Sequence, residues 1–188
     1  MTLKKAGVAL AVVLLAATGV IALWGDQPTT FKRPVFRRLT SESPAPKSRA
    51  PRRIVMLLFA DKNQNDLLEE AREIEGGTTA TEDAKRILEE LVKGPEGDLK
   101  PVIPRAAQVR NLFIDASGTA YVDFDHELAE GHPGGAREEL FTVYSIVGTL
   151  AVNISRIKRV QILVDGAGIP TLAGDVDTRA PLLPRFTF

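Results

Sequence analysis

The sequence predicts an α+β fold: a single compact domain whose mixed β-sheet carries two helices on one face, preceded by an N-terminal transmembrane helix and a flexible linker. Three observations point there. Arg159-Val160-Gln161-Ile162-Leu163-Val164 is rich in β-branched and Leu residues, has apolar residues in both registers and ends at the turn pair Asp165-Gly166, the pattern of a buried central strand. Residues 135–150 place Leu140, Val143, Tyr144, Val147 and Leu150 on one helical stripe. Residues 79–95 do the same with Ala84, Ile87, Leu88, Leu91 and Val92. A helix with one apolar stripe has one face to bury, so both are expected on the same side of the sheet.

The N-terminal elements follow from composition. Residues 6–24 are uncharged and almost wholly apolar, close to the roughly 20 residues a membrane span requires, and follow Lys4 and Lys5 directly. The run ends Ile21-Ala22-Leu23-Trp24, without a small-x-small cleavage site, and Trp24 stands as an interfacial anchor. These flanks favour an uncleaved anchor over a cleavable signal. Residues 25–53 carry eight Lys/Arg and the stretch Ser43-Pro44-Ala45-Pro46 with little apolar periodicity, which reads as a tether. The partition is therefore 1–24 anchor or signal, 25–53 linker and 54–188 folded domain. Lys32, Arg33, Arg37 and Arg38 would retain the domain inside by charge counting, whereas the short basic tail before an apolar core is the form of an export signal.

Within the domain, Ile54-Val55-Met56-Leu57-Leu58-Phe59 reads as a first buried strand, and 61–66 as a polar turn. Asp61, Asn63 and Asn65 imitate a calcium loop. However, Asp66 stands where such a loop needs glycine, and Arg72 stands at its closing glutamate, so the turn reads as structural. Residues 67–74 continue as a short strand or irregular segment. Thr79-Ala80-Thr81-Glu82 has capping-box spacing, and Gly94-Pro95 stops the helix it opens. Residues 109–114 and 119–124, joined by Ala116-Ser117-Gly118, read as a hairpin with Val122 and Phe124 on one face and Tyr121, Asp123 and Asp125 on the other. Residues 126–135 are expected as a loop, 169–176 as a short final strand or edge, and the Pro-rich 181–186 as surface chain.

The chain has no cysteine, which excludes disulfides, thiolate metal sites, cysteine nucleophiles and a lipid-modified cysteine. From residue 54 onward there are 14 Lys/Arg against 22 Asp/Glu, and an acidic domain argues against nucleic acid as its ligand. Asp123, Asp125, His126, Glu127 and His132 form the one cluster of acid/base or metal-type side chains, without a recognised ligand spacing. The bland reading is that the two aspartates hold backbone amides and the histidines are solvated. Ser117, Ser145 and Ser155 lie outside any nucleophile-elbow pattern, and neither Gly166-Ala167-Gly168 nor Gly134-Gly135 completes a nucleotide-binding motif. The Gly134-Gly135 amides, at a helix start, could still hold an anion.

Several segments together resemble the GerMN domain of bacterial sporulation, spore-germination and envelope lipoproteins. They are Leu57-Leu58-Phe59-Ala60, Leu91-Val92-Lys93-Gly94-Pro95, Ala120-Tyr121-Val122-Asp123-Phe124, Gly134-Gly135 with Glu138-Glu139, Ile146-Val147-Gly148-Thr149-Leu150, Val160-Gln161-Ile162-Leu163-Val164-Asp165-Gly166 and Leu172-Ala173-Gly174. The family's Ile-Pro-x-Gly-Thr is here Ile103-Pro104-Arg105-Ala106-Ala107, and the membrane span replaces its usual lipidated cysteine. The resemblance implies a compact α+β domain with two helices on a sheet, outside the cytoplasmic membrane, with no enzymatic activity and no cofactor. Expected partners are the membrane, through the N-terminal helix, and an envelope protein or cell-wall ligand. Binding candidates are Asp123, Asp125, His126, Gly134, Gly135, Asp165 and Gly166. The alternative is an envelope hydrolase or metal-dependent enzyme built on the 123–132 segment.

Overall fold

A computed structural model describes residues 51–185, so the expected membrane span and nearly all of the tether lie outside the described residues. Among the described residues no helix is long and apolar enough to cross a membrane.

Strands β1 (Arg52–Ala60) and β2 (Leu67–Glu75) form an antiparallel hairpin in continuous register from Arg52↔Glu75 to Ala60↔Leu67. The turn between them is organised by Asp61, whose carboxylate accepts from the N–H groups of Asn65 (2.6 Å), Asp66 (3.2 Å) and Asn63 (3.3 Å). This is an Asx-type turn, and it explains the run of Asp and Asn without a metal. Helix α1 (Ala80–Lys93) begins where the capping box places it: Thr79 Oγ1 accepts from Glu82 N at 3.1 Å. The glutamate closes the box on Thr78 N, at 2.7 Å, one residue earlier than the usual partner.

A second sheet holds β3 (Val109–Ile114), β4 (Thr119–Phe124), β5 (Arg159–Val164) and β6 (Ala167–Gly168) in that order, with β4 and β5 parallel and the other pairs antiparallel. A short helix, α2 (Glu127–Glu130), and the long α3 (Ala136–Asn153) make the crossover that a parallel pair requires. The central strand is as expected: Val160 and Ile162 are fully buried. Asp165 (φ 49°) and Gly166 (φ 78°) both adopt the left-handed region, the geometry of a two-residue hairpin turn, and reverse the chain into β6.

Several expectations are corrected, among them the loop at 126–135, which contains α2. The first strand does not join the others in one sheet, because the open edge of β1 is occupied by a helix. Ser145 Oγ donates to Leu58 O (2.6 Å), Thr149 Oγ1 accepts from Leu58 N (3.0 Å), and Asn153 accepts from Met56 N (2.9 Å) and donates to Met56 O (2.7 Å). Ala60 completes that edge by pairing with Lys100. As a result α3 is buried on nearly every side from Glu139 to Leu150, with no single apolar stripe. Ile54, at the far end of β1, is 72% exposed despite its place in an apolar run.

The remaining two corrections concern the C-terminal third. Residues 169–176 form no strand beyond β6; they wrap the Glu139 side chain, whose Oε1 accepts from Leu172 N and Oε2 from Asp175 N, each at 2.7 Å. Leu182 does not merely lie on the surface but bridges to Val160 in both directions, at 2.8 and 2.9 Å.

Two outcomes test this packing. Ile162→Asp would bury an unpaired charge and is expected to cost at least about 4 kcal/mol, read by chemical denaturation; an unchanged midpoint would remove Ile162 from the core. Glu139 is fully buried, which pushes its pKa up, but the N–H groups of residues 172, 173, 175 and 176 outweigh burial and leave it below the ordinary 4.5. A depressed carboxylate stabilises the fold above its unfolded pKa, and that contribution is lost as pH falls through the folded value. Glu139→Gln is therefore expected to cost about 2 kcal/mol at pH 7, with the gap to wild type narrowing below pH 4.5. A pH-independent gap would show that charge plays no part.

Candidate functional site

The sequence-derived site residues fall at two separate places. Asp123, Asp125, His126, Asp165 and Gly166 gather at the carboxyl ends of the parallel strands β4 and β5, and Gly134 and Gly135 lie at the start of α3. Among the described residues no three His, Asp or Glu side chains are grouped as metal ligands.

At the strand ends Asp123 and Asp125 each hold a backbone amide. Asp123, only 7% exposed although on the outward register, accepts from Gly166 N through Oδ1 (2.6 Å) and from Asn111 Nδ2 through Oδ2 (3.4 Å), which ties β4 to the β5–β6 turn. Asp125 Oδ1 accepts from Gln108 N (2.9 Å), and Asp125 N donates to Gln108 O (3.1 Å), fastening the chain just before β3. Around them is a layer of exposed ion pairs. Arg110 bonds Asp165 and lies 4.0 Å from Asp123 Oδ2, and exposed His126 is 3.7 Å from both Asp165 and Glu127. Such exposed pairs contribute about 0–1 kcal/mol each.

His132 departs from the expected solvated loop residue. Its Nδ1 accepts from Gly134 N (3.0 Å), so Nε2 carries the proton and donates to Thr142 Oγ1 (3.0 Å). The ring is thereby tied to α3. Gly134 (φ 81°) and Gly135 (φ 98°) supply the left-handed conformations that bring the chain from this histidine into the helix.

Beside them is a cavity of about 140 Å³, walled by Pro101, Val102, Ile103, Pro104, Pro133 and Phe141, with His132, Thr142 and Glu138 also lining it. Sequence reasoning missed this site. Its segments are distant in the chain, and the available signal was the prolines of 101–104 together with Glu138-Glu139 following two glycines. The variant turn after Ile103-Pro104 closes normally, with Ala107 N donating to Pro104 O at 3.0 Å.

Comparison with known proteins gives the same architecture. The first GerMN domain of the sporulation protein GerM from Bacillus subtilis superposes with a TM-score of 0.55 at 24% identity, covering 71% of this chain and 98% of that one. The tandem GerMN domains of the same protein give 0.55 at 20% identity over 71% of this chain, which spans 46% of the tandem. A Clostridium perfringens protein described as a "Putative Lipoprotein" gives 0.52 at 22% identity, over 71% and 87% of the two chains. At these identities the likeness is one of fold. No curated protein matches. The family model described as Germane, sporulation and spore germination, matches residues 34–169, well over half of the sequence, and the chain belongs to that family.

Proposed function

We propose that this protein is a non-enzymatic binding or assembly module of the bacterial cell envelope, anchored in the cytoplasmic membrane through residues 6–24 and exposed on its outer side, serving sporulation, germination or cell-wall processes. The observation that carries the non-enzymatic reading is the occupation of the acidic side chains: Asp123 holds Gly166 N and Asp125 holds Gln108 N. Carboxylates fixed on amides of neighbouring chain segments act as struts, and their geometry suits a rigid scaffold better than proton transfer. Membership of the sporulation and germination family supports the setting. The likeness to a Clostridium perfringens protein described as a lipoprotein supports the membrane location. For the export direction, an uncharged span can commit the chain before Lys32 and Arg33 are reached. The partner expected on this reading is an envelope protein or a cell-wall ligand.

Two experiments examine it. A single Cys introduced at the exposed Ser117, in a chain without other cysteines, is expected to react in intact cells with a membrane-impermeant maleimide once any outer barrier is permeabilised. Labelling only after lysis of the cytoplasmic membrane would put the domain inside and remove the envelope role. His126→Ala, at an exposed side chain, is expected to change stability by less than about 0.5 kcal/mol and to leave the envelope phenotype intact. Loss of that phenotype in a stably folded variant would turn the reading toward catalysis at the strand ends.

A further inference from the structure

The cavity at the start of α3 has a polar economy of its own. Thr142 Oγ1 accepts from His132 and shares its single proton between the carbonyls of Val102 and Glu138, and the other His132 nitrogen is held by Gly134 N. His132 and Thr142 are thus engaged with one another and with the backbone. The Glu138 carboxylate is different. It is half-buried and, among the described residues, makes no hydrogen bond or ion pair. It folds back over Gly135: a Cβ built at Gly135 would lie 2.5 Å from Glu138 Oε2. The glycine therefore clears the position that the carboxylate occupies, and the usual capping bond from Glu138 to the amide at that position is not made.

We propose that this cavity binds a primary alkylammonium, with the apolar body between the prolines and Phe141 and the ammonium on Glu138. The carboxylate has no partner within the described chain, and a cation offers it both charge and hydrogen-bond donors. Of the remaining lining, Gln64, His132 and Thr142 are polar, and Ala60, Val102, Ile103, Phe141 and the prolines offer apolar contact. Phe141 and Ile103 are buried at its floor, while Pro101 and Pro133 are exposed at its rim. The volume of about 140 Å³ is close to the roughly 150 Å³ of an apolar cavity that accepts benzene, so a body of about six carbons fits. An anionic ligand would be repelled by Glu138, and a purely apolar one would leave the carboxylate unpaired. The inference deepens the binding-module reading by naming a ligand class, and amine binding and the maleimide result are read independently of each other.

The test is a titration of the ¹⁵N-labelled full chain in detergent micelles, followed by amide chemical shifts. The probes are cyclohexylammonium chloride, its neutral analogue cyclohexanol, and Nα-acetyl-lysine methylamide. The amine is expected to give saturable shifts at Ile103, Phe141 and Thr142 with a Kd on the order of 1 mM. Cyclohexanol, and the amine with Glu138→Gln, are each expected to bind about tenfold more weakly. Glu138→Asp, which keeps the charge but withdraws it, should fall between. Lysine amide binding at least as tightly as cyclohexylammonium would identify the source as a lysine side chain of a polypeptide, and weaker lysine binding would identify a free small amine. Absence of saturable shifts with both amines up to about 20 mM would overturn the proposal, as would equal binding of cyclohexanol or unchanged amine binding in Glu138→Gln.

Discussion

The architecture depends on how the second edge of β1 is closed. A strand with one hydrogen-bonded neighbour presents a row of unpaired N–H and C=O groups, and burying that row uncapped would cost about 1–3 kcal/mol per group. Here the row is met by Ser145, Thr149 and Asn153, four residues apart and therefore aligned along one side of α3. The same geometry demands close approach. A Cβ at Gly148 would meet the Leu58 side chain, with Cδ2 at 2.9 Å, so glycine leaves room for that leucine against the helix. The helix is thus held between two sheets and has little surface left for solvent.

Buried charge then fixes the loops around that centre. Glu139, in the first turn of α3, gathers the amides of 172–176, as the positive end of a helix dipole favours. Arg72 does the converse at the end of α1, donating to the carbonyls of Glu90 (3.2 Å) and Gly94 (3.0 Å) while bonding Glu70. Glu70, raised by burial but lowered more by the amides of Glu96 and Gly97 and by Arg72, keeps its pKa below the ordinary value. Arg72 is the residue that spoils the calcium-loop pattern, and its structural task accounts for its presence there. Its Nε is buried without a hydrogen bond, 3.6 Å from Glu96, which leaves this network short of full satisfaction.

Local patterns were legible in the sequence because their causes are local. The Thr79–Glu82 cap, the 109–124 hairpin and the Asp165-Gly166 turn all rest on side chains acting within a few residues. The two-sheet arrangement was not legible, since Ser145, Thr149 and Asn153 resemble ordinary polar helix residues until β1, 87 to 97 positions away, lies against them. Likewise the Glu139 loop looked like an edge strand, because a carboxylate and not a neighbouring strand takes its amides. Of the candidate site residues, Asp123 and Asp125 hold backbone amides as the bland reading expected, and the structure adds which amides they face. The family resemblance was readable, and it holds.

The strand ends, loops and central helix of this domain are all fixed by hydrogen bonds to charged or polar side chains. The central claim is that α3 seals β1, and native-state hydrogen exchange of the intact chain tests it directly. The amides of Met56 and Leu58, bonded to Asn153 and Thr149, are expected to exchange only through global unfolding, as slowly as Val160 and Ile162 in the second sheet. In Thr149→Val the Leu58 amide is expected to lose protection together with a global loss of about 1–3 kcal/mol. Fast exchange of Met56 and Leu58 in the wild-type chain, at the rate of an open strand edge, would contradict the account.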